Sequence, residues 1–397
     1  MDPMDAVTAL LSPEGAGDPY PLYEALRPYG PVVSLGETLH LVVGYEAVDA
    51  ALRDPALGVP DAAGMDGRWP EWRHNRAVSL FVTSMLRSNP PAHTRMRRLA
   101  AGVFTARRVG RLRDTVAGQV AELVDALPPE ADVMEELAYP LPVAVICALL
   151  GVPASDRARF RRLAVDLTAV LELVVSQDQA ERAHAAGKEV AAYLADLAAR
   201  RRAEPGDDLV SALTQAYDAG GDRLTGDELL GNLMLLLVAG FETTANLLGN
   251  GTAVLLDRPE LARRLADDEA FAEPFVEEVL RWDAPVQLTD RIPLRDTVVA
   301  GVPVRAGSQV VLLLGAANRD PARFAGPAAF DPARAQNTPI TFGAGAHYCL
   351  GAPLARLEAQ LALPALARRR PRRAGPAARR SRLTLRGYAS LPVTVTP

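Results

Sequence analysis

Apolar residues recur at helical spacing through most of the chain, most densely between Asp227 and Leu256. That stretch contains LLGNLMLLLVAGFETTANLLGNGTAVLL. It is apolar nearly all round, which predicts a buried helix and not one with a single inward stripe. Glu242, Thr243, Thr244, Asn246 and Asn250 interrupt it, which argues against a membrane span. A carboxylate inside such a helix is costly unless it is paired or used. Val116–Ala203 is also helical in period, with breaks near Pro128–Pro129 and Gly151–Val152–Pro153. Asp18–Tyr29 and Tyr45–Leu52 predict shorter helices. Between them Val32–Ser34 and Leu39–Val43 predict a hairpin around Gly36–Glu37–Thr38. Ala56–Ser88 shows no period and predicts a loop that carries Trp69 and Trp72. Asn89–Val109 predicts a helix started by Pro90 and Pro91, on which His93 and Arg97 share a face.

A length of 397 residues allows two or three domains, but no Pro/Gly/Ser-rich linker divides the chain and no repeat recurs. The net charge of −5 argues against general nucleic-acid binding. The arginine-rich tail, Arg368–Arg373 and Arg379–Arg382, lacks interleaved aromatics, which with the negative net charge argues against a nucleic-acid role for it. Two cysteines cannot build a disulfide framework, and no CxxC pattern suggests zinc. Cys147 sits in an apolar run and reads as a buried small hydrophobe. The first residues, MDPMDAVTALLSPEG, carry no long apolar run, so a cytoplasmic protein without a membrane anchor is expected.

The other cysteine has a different setting. Cys349 lies in FGAGAHYCLG, with Gly343, Ala344 and Gly345 before it and Gly351 after it. Ala352–Glu358 then reads as a helix start with Pro353 in its first turn. A loop feeding a helix N-terminus favours an anion, so the thiol is expected to shift toward thiolate. Small residues on both sides let the backbone approach a flat ligand, and a thiolate suits a soft metal centre.

This loop resembles the haem-ligand loop of the cytochrome P-450 family, Phe-x-x-Gly-x-x-x-Cys-x-Gly, through Phe342, Gly345, Cys349 and Gly351. Ala239–Gly240–Phe241–Glu242–Thr243 resembles that family's Ala-Gly-x-Asp/Glu-Thr motif, with Phe241 where many members carry His. Glu278 and Arg281 match its Glu-x-x-Arg helix. The resemblance covers roughly residues 18–395 and implies one domain over 1–397, mainly α with a smaller β portion. It implies haem b as cofactor, O2 as co-substrate and Cys349 as the axial metal ligand. His93, Arg97, Arg291 and His347 would reach the haem propionates, with Ala239, Phe342, Gly343 and Gly351 against the ring. Glu242 and Thr243 would open the helix locally and relay protons to dioxygen. Arg334 would complete a structural lock with Glu278 and Arg281.

The resemblance further implies a substrate pocket near Trp69, Trp72, Val238, Val286, Gln287, Leu288 and Leu391. Leu163–Gln177 and Ala183–Ala199 would roof it, and Arg386–Val393 would form a closing hairpin. The implied activity is hydroxylation of a bulky apolar natural product, polyketide or macrolide in type, as in antibiotic biosynthesis. No Gly-x-Gly-x-x-Gly unit follows a strand, so electrons would come from a separate ferredoxin and ferredoxin reductase. Arg98, Arg107, Arg108, Arg111 and Arg113 form a candidate docking patch for that donor. A monomer is the family default. Epoxidation, desaturation or oxidative coupling on the same fold stays open, as does a haem-bearing sensor without turnover.

Overall fold

The computed structural model describes residues 1–102, 106–172, 175–218 and 224–396, without the side chains of 68, 106–109 and 111. Its axis is the helix Gly226–Asp257. Thr225 starts it with a reciprocal cap: its hydroxyl accepts from the Glu228 amide and its own amide donates to Glu228. That cap satisfies two donors with no partner inside the helix. Helices Arg76–Val82, Pro140–Leu150, Arg157–Leu167, Gln177–Ala203 and Ala352–Arg368 pack round it. Close approach is built into the sequence at Gly231, where a Cβ would stand 2.4 Å from the Leu80 carbonyl oxygen. This helix is long and apolar enough to cross a membrane, but 72% of its most apolar window is buried against protein. The all-round apolar pattern is therefore that of a core helix.

A five-stranded sheet lies to one side, in the order Val32–Leu35, Leu39–Val42, Gln309–Leu312, Thr289–Pro293, Leu57–Gly58. The first two strands pair antiparallel as the expected hairpin, Val32 against Val42. Leu39–Val42 then runs parallel to Gln309–Leu312, and the remaining pairs are antiparallel. Tyr45–Arg53 is the second early helix.

Two expectations change. Ala56–Ser88 is not one loop: it holds helices Ala62–Arg68 and Arg76–Val82 and the short turns Trp72–His74 and Met85–Arg87. Asp61 and Asn75 cap the two helices through their side chains, signals too local to show as a hydrophobic period. The end of the chain is not a hairpin either. Tyr388–Ser390 pairs with Ala378–Arg379, whereas Pro392–Thr394 pairs with Glu130–Asp132 and Arg372–Arg373. Leu391 sits between two small sheets, and hydrogen bonds to Asp132 and Val133 hold it in the core.

Candidate functional site

The cysteine loop is shaped by its glycines. Gly343 and Gly345 have φ of +69° and +66°, conformations that disfavour other residues. At Gly345 a Cβ would also meet the Leu52 carbonyl oxygen at 2.6 Å. The Cys349 amide donates to the Phe342 carbonyl at 2.9 Å, closing the loop. Gly351 then caps the helix Ala352–Arg368, which runs unbroken through Pro364.

A buried brace stands behind the loop. Arg281 and Glu278, both fully buried, pair through two bonds of 2.7 and 2.8 Å. Arg281 also donates to the carbonyls of Asn318, Pro327 and Ala329. Glu278 accepts from the Asp331 amide and from Asn337, with Arg334 at 3.7 Å. The connection to the loop runs through Thr341, whose hydroxyl donates to the Leu280 carbonyl at 2.6 Å and accepts from Asn318 at 2.7 Å. Asn318 in turn accepts from the Ile340 amide. On the far side, Arg356 pairs with Glu277 and covers the Phe342 ring at 4.5 Å.

Two cavities, of about 240 and 220 Å³, meet between this loop and the central helix and share Leu86, Ala239, Thr243, Phe342 and His347. His93, Arg97, Cys349 and Gly351 line one. Val286, Leu288, Arg291 and Gly343 line the other. Four cationic or basic side chains thus converge on one slot. The His93 and His347 rings lie 4.1 Å apart, and Arg97 donates to the Tyr348 carbonyl at 2.6 Å, beside Cys349. Arg291 bonds to Thr289 and to the Asp290 carbonyl. Among the described residues no carboxylate forms an ion pair with Arg97 or Arg291.

The electrostatics record the imbalance. Burial, then His93 and Arg291, depress His347 to about 3. Burial, then Arg97 and Arg291, lower His93. Burial and Arg87 bring Arg291 down to about 10, against the pull of Asp290. A dianionic ligand edge placed there would relieve this repulsion. The thiol of Cys349 departs from the sequence expectation. Burial pushes it up, and the Gly351 and Ala352 amides with Arg97 and Arg356 only partly pull it back. A metal ion is what would make it a thiolate. An apolar slot with one thiol on its wall and uncompensated cations at its edge fits haem: iron to sulfur, propionates to the cations.

Across the slot stands Thr243, whose hydroxyl donates to the Ala239 carbonyl at 2.7 Å. The helix is continuous here, so the expected local opening is not seen. Glu242 lines neither cavity. It is fully buried and faces away, paired with Arg380 and, at 2.8 Å, with Arg382. Its other oxygen has no partner.

Four pocket expectations are corrected. Gln287 points away from the cavity, donating to Ala284 and Tyr20, because neighbours in extended chain alternate faces and Val286 and Leu288 take the inner one. Val238 lies in the core, one helical step from Ala239. Trp72 is buried with its ring N–H on Asp66. Leu391 is held in the core as described, and Thr384 and Leu385 line the cavity instead. Trp69 lines a separate outer cavity of about 430 Å³.

Sequence reasoning missed several groups. Arg380 and Arg382 stand 138 and 140 residues from the acid they pair with, in a tail to which the sequence assigned no role. The signal was available in principle, since a buried carboxylate demands a cation. Glu172 and the Arg87–Asp290 pair on the cavity wall gave no period or motif. Glu358 lines the slot with one oxygen unpartnered, and burial raises it well above the usual carboxylate range. In the docking patch, the side chains of Arg107, Arg108 and Arg111 lie outside the described residues, and Arg113 pairs with Glu269 at 3.5 Å.

A thiol loop facing a helix-borne alcohol across a cation-edged apolar slot, on this mainly helical fold, defines a haem-thiolate monooxygenase. The chain belongs to the cytochrome P-450 family, whose profile matches residues 27–369. It is 41% identical over 375 residues to the cytochrome P-450 monooxygenase PikC of Streptomyces venezuelae, covering 91% of this chain and 86% of that one. It is 38% identical over 391 residues to the 6-deoxyerythronolide B hydroxylase of Saccharopolyspora erythraea, covering 95% and 96%. Among solved structures, Mycobacterium smegmatis CYP164A2 with econazole bound superposes with a TM-score of 0.90 at 38% identity, covering 98% and 100%.

Proposed function

We propose that this chain, as one domain in the cytoplasm, hydroxylates an unactivated C–H bond of a bulky apolar small molecule of polyketide or macrolide type. The observation that carries the reading is the mainly apolar 240 Å³ cavity that opens beside Thr243 and ends at the slot holding Cys349. Relatives that share most of its length support the class, one of them named as a hydroxylase.

Bound haem supplies the activation of dioxygen. This chain's residues do the rest. Cys349 holds the iron, and His93, Arg97, Arg291 and His347 hold the carboxylate edge. The apolar wall excludes water and orients the substrate. Thr243, released from the Ala239 carbonyl, presents its hydroxyl to the slot as the proton donor. Glu242, expected from the sequence to share this task, is outside that path: it faces away from the slot, ion-paired to Arg380 and Arg382. Electrons come from a ferredoxin and its reductase, docking by charge on the basic face.

The test is an absorbance titration of the ferric holoprotein with macrolactones, steroids, fatty acids and aromatic compounds, followed by turnover. One class should shift the haem toward high spin and leave a product heavier by one oxygen. A product that has lost hydrogen instead would replace hydroxylation by desaturation or coupling. In Cys349→Ser the thiolate-type spectrum of the reduced carbon monoxide complex should vanish. Its survival would move the ligand elsewhere.

A further inference from the structure

Among the described residues, one carboxylate on the inner cavity's wall has no ion-pair partner. Glu172 follows the short turn Thr168–Leu171 and borders both the 240 Å³ inner cavity and the 430 Å³ outer one. Phe81, Arg87 and Asp290 share that position, so the four residues form a throat between the two spaces. Glu172 accepts from the Thr384 amide at 3.2 Å and from the Leu385 amide at 3.3 Å. These long bonds orient both oxygens but bring no full charge.

The nearby cations are committed elsewhere. Arg87 donates to both oxygens of Asp290, at 3.0 and 3.2 Å. Arg382 donates to Glu242 at 2.8 Å and to the Thr168 hydroxyl at 3.1 Å. Among the described residues Glu172 forms no ion pair. Burial raises its carboxyl above the usual range, and the Thr384 amide and Arg382 only moderate this. The surrounding inner wall is mainly apolar, with Val59, Leu86, Leu171, Val286, Leu288 and Leu385. A carboxylate in such a wall is costly until a cation reaches it.

We infer that Glu172 reads a protonated amine on the substrate. The substrate class is then a bulky apolar molecule with a basic nitrogen at one end. The nitrogen ion-pairs with Glu172 in the throat, and the apolar end extends toward Ala239 and Thr243. This rests on the monooxygenase reading and narrows its substrate. Glu172 is a specificity residue; it moves no proton in the reaction.

The experiment uses the ferric holoprotein at pH 7 and probes built on one twelve-membered ring. These are cyclododecyl dimethylamine, its permanently charged trimethylammonium analogue, cyclododecyl methyl ether and cyclododecanone. Spin-shift titration should show both cations binding about 10-fold or more tighter than the ether and the ketone, the scale of a charge-assisted contact. Glu172→Gln keeps an acceptor for the backbone amides and removes the charge. It should bring the cations to within about 2-fold of the ether, whose own affinity stays unchanged.

Equal binding of all probes by the wild type overturns the inference. So does a ketone preference, which would mean a protonated Glu172 donating to a carbonyl. A red-shifted Soret band with the amine, signalling nitrogen on iron, overturns it as well. A cation preference that survives Glu172→Gln, or an equal loss for every probe, does the same. If the variant fails to take up haem, the wild-type series decides alone. Failure of the monooxygenase reading is separate: it shows as the absence of a thiolate-type carbon monoxide spectrum before any probe is added.

Discussion

The cysteine loop and the cavity opposite it share one slot but are held by different means. The loop is a contiguous stretch, Phe342–Gly351, fixed by two left-handed glycines and by a fully buried ion pair three residues apart on one helix. The cavity is assembled from remote pieces: Phe81 and Leu86, Leu171 and Glu172, the central helix, Val286–Arg291, and Thr384 and Leu385. Two of its charged groups, Arg87 and Asp290, pair with each other from distant parts of the chain. The loop presents one ligand atom and tolerates little variation. The cavity can change its occupant by changing side chains that no local motif constrains.

The sharpest break in this comparison is at Thr243, the point of the central helix that serves both sides. Thr243→Ala removes the hydroxyl and leaves the helix, the cysteine loop and the cavity wall in place. Product formation should fall by about 10²-fold or more, the usual worth of a positioned proton donor. Reductant and dioxygen should still be consumed. Measuring product per reductant oxidised separates this from a binding defect, and unchanged coupling would remove Thr243 from the proton path.

The same contrast explains what the sequence disclosed. Cys349, Glu278 and Arg281 were legible because their chemistry depends on spacings of a few residues. The central helix was legible because an all-round apolar run with an embedded Glu-Thr pair has few other readings. Gln287 was misassigned because a segment that borders a cavity alternates its faces, and no pattern on one strand says which face is inward. Leu391 was misassigned because the two terminal strands join different sheets, a pairing decided by partners more than 250 residues away at Asp132. The tail arginines received no role, because a run of like charge does not name its partners. Here Arg379, Arg380, Arg382 and Arg386 are the counterions of the buried acids Asp283 and Glu242.

The brace behind the loop offers the next test. Glu278→Gln leaves Arg281 buried with its three carbonyl bonds but no opposing charge. Removing one partner of such a pair costs roughly 3–5 kcal/mol. Denaturant unfolding should show that loss, and haem should dissociate earlier along the same transition, because Thr341 ties the brace to the loop. A loss under about 1 kcal/mol would show that the Asn318–Thr341 hydrogen bonds hold the loop without the ion pair.

The smallest expected effect lies where the two regions are joined. Asp283 follows the brace helix, and Arg386 follows the cavity segment Thr384–Leu385. They pair at 2.6 Å, and Asn250 of the central helix donates to the backbone carbonyls of both. Burial raises the Asp283 carboxyl, but Arg386 and Arg379 outweigh it and hold the group well below the usual carboxylate range. A carboxyl depressed on folding adds stability above its unfolded value, about 3.9, and loses it as the pH falls through the folded value. Arg386→Met leaves Asp283 with Arg379 alone. The variant should be about 1.5–3 kcal/mol less stable near pH 7, the worth of a charged hydrogen bond. That gap should narrow as the pH drops below about 4, where wild-type Asp283 loses its own advantage. A gap that stays constant with pH would mean that Arg386 joins the regions through its bonds to the Ala16 and Gly17 carbonyls, and the charge on Asp283 would have no part in it.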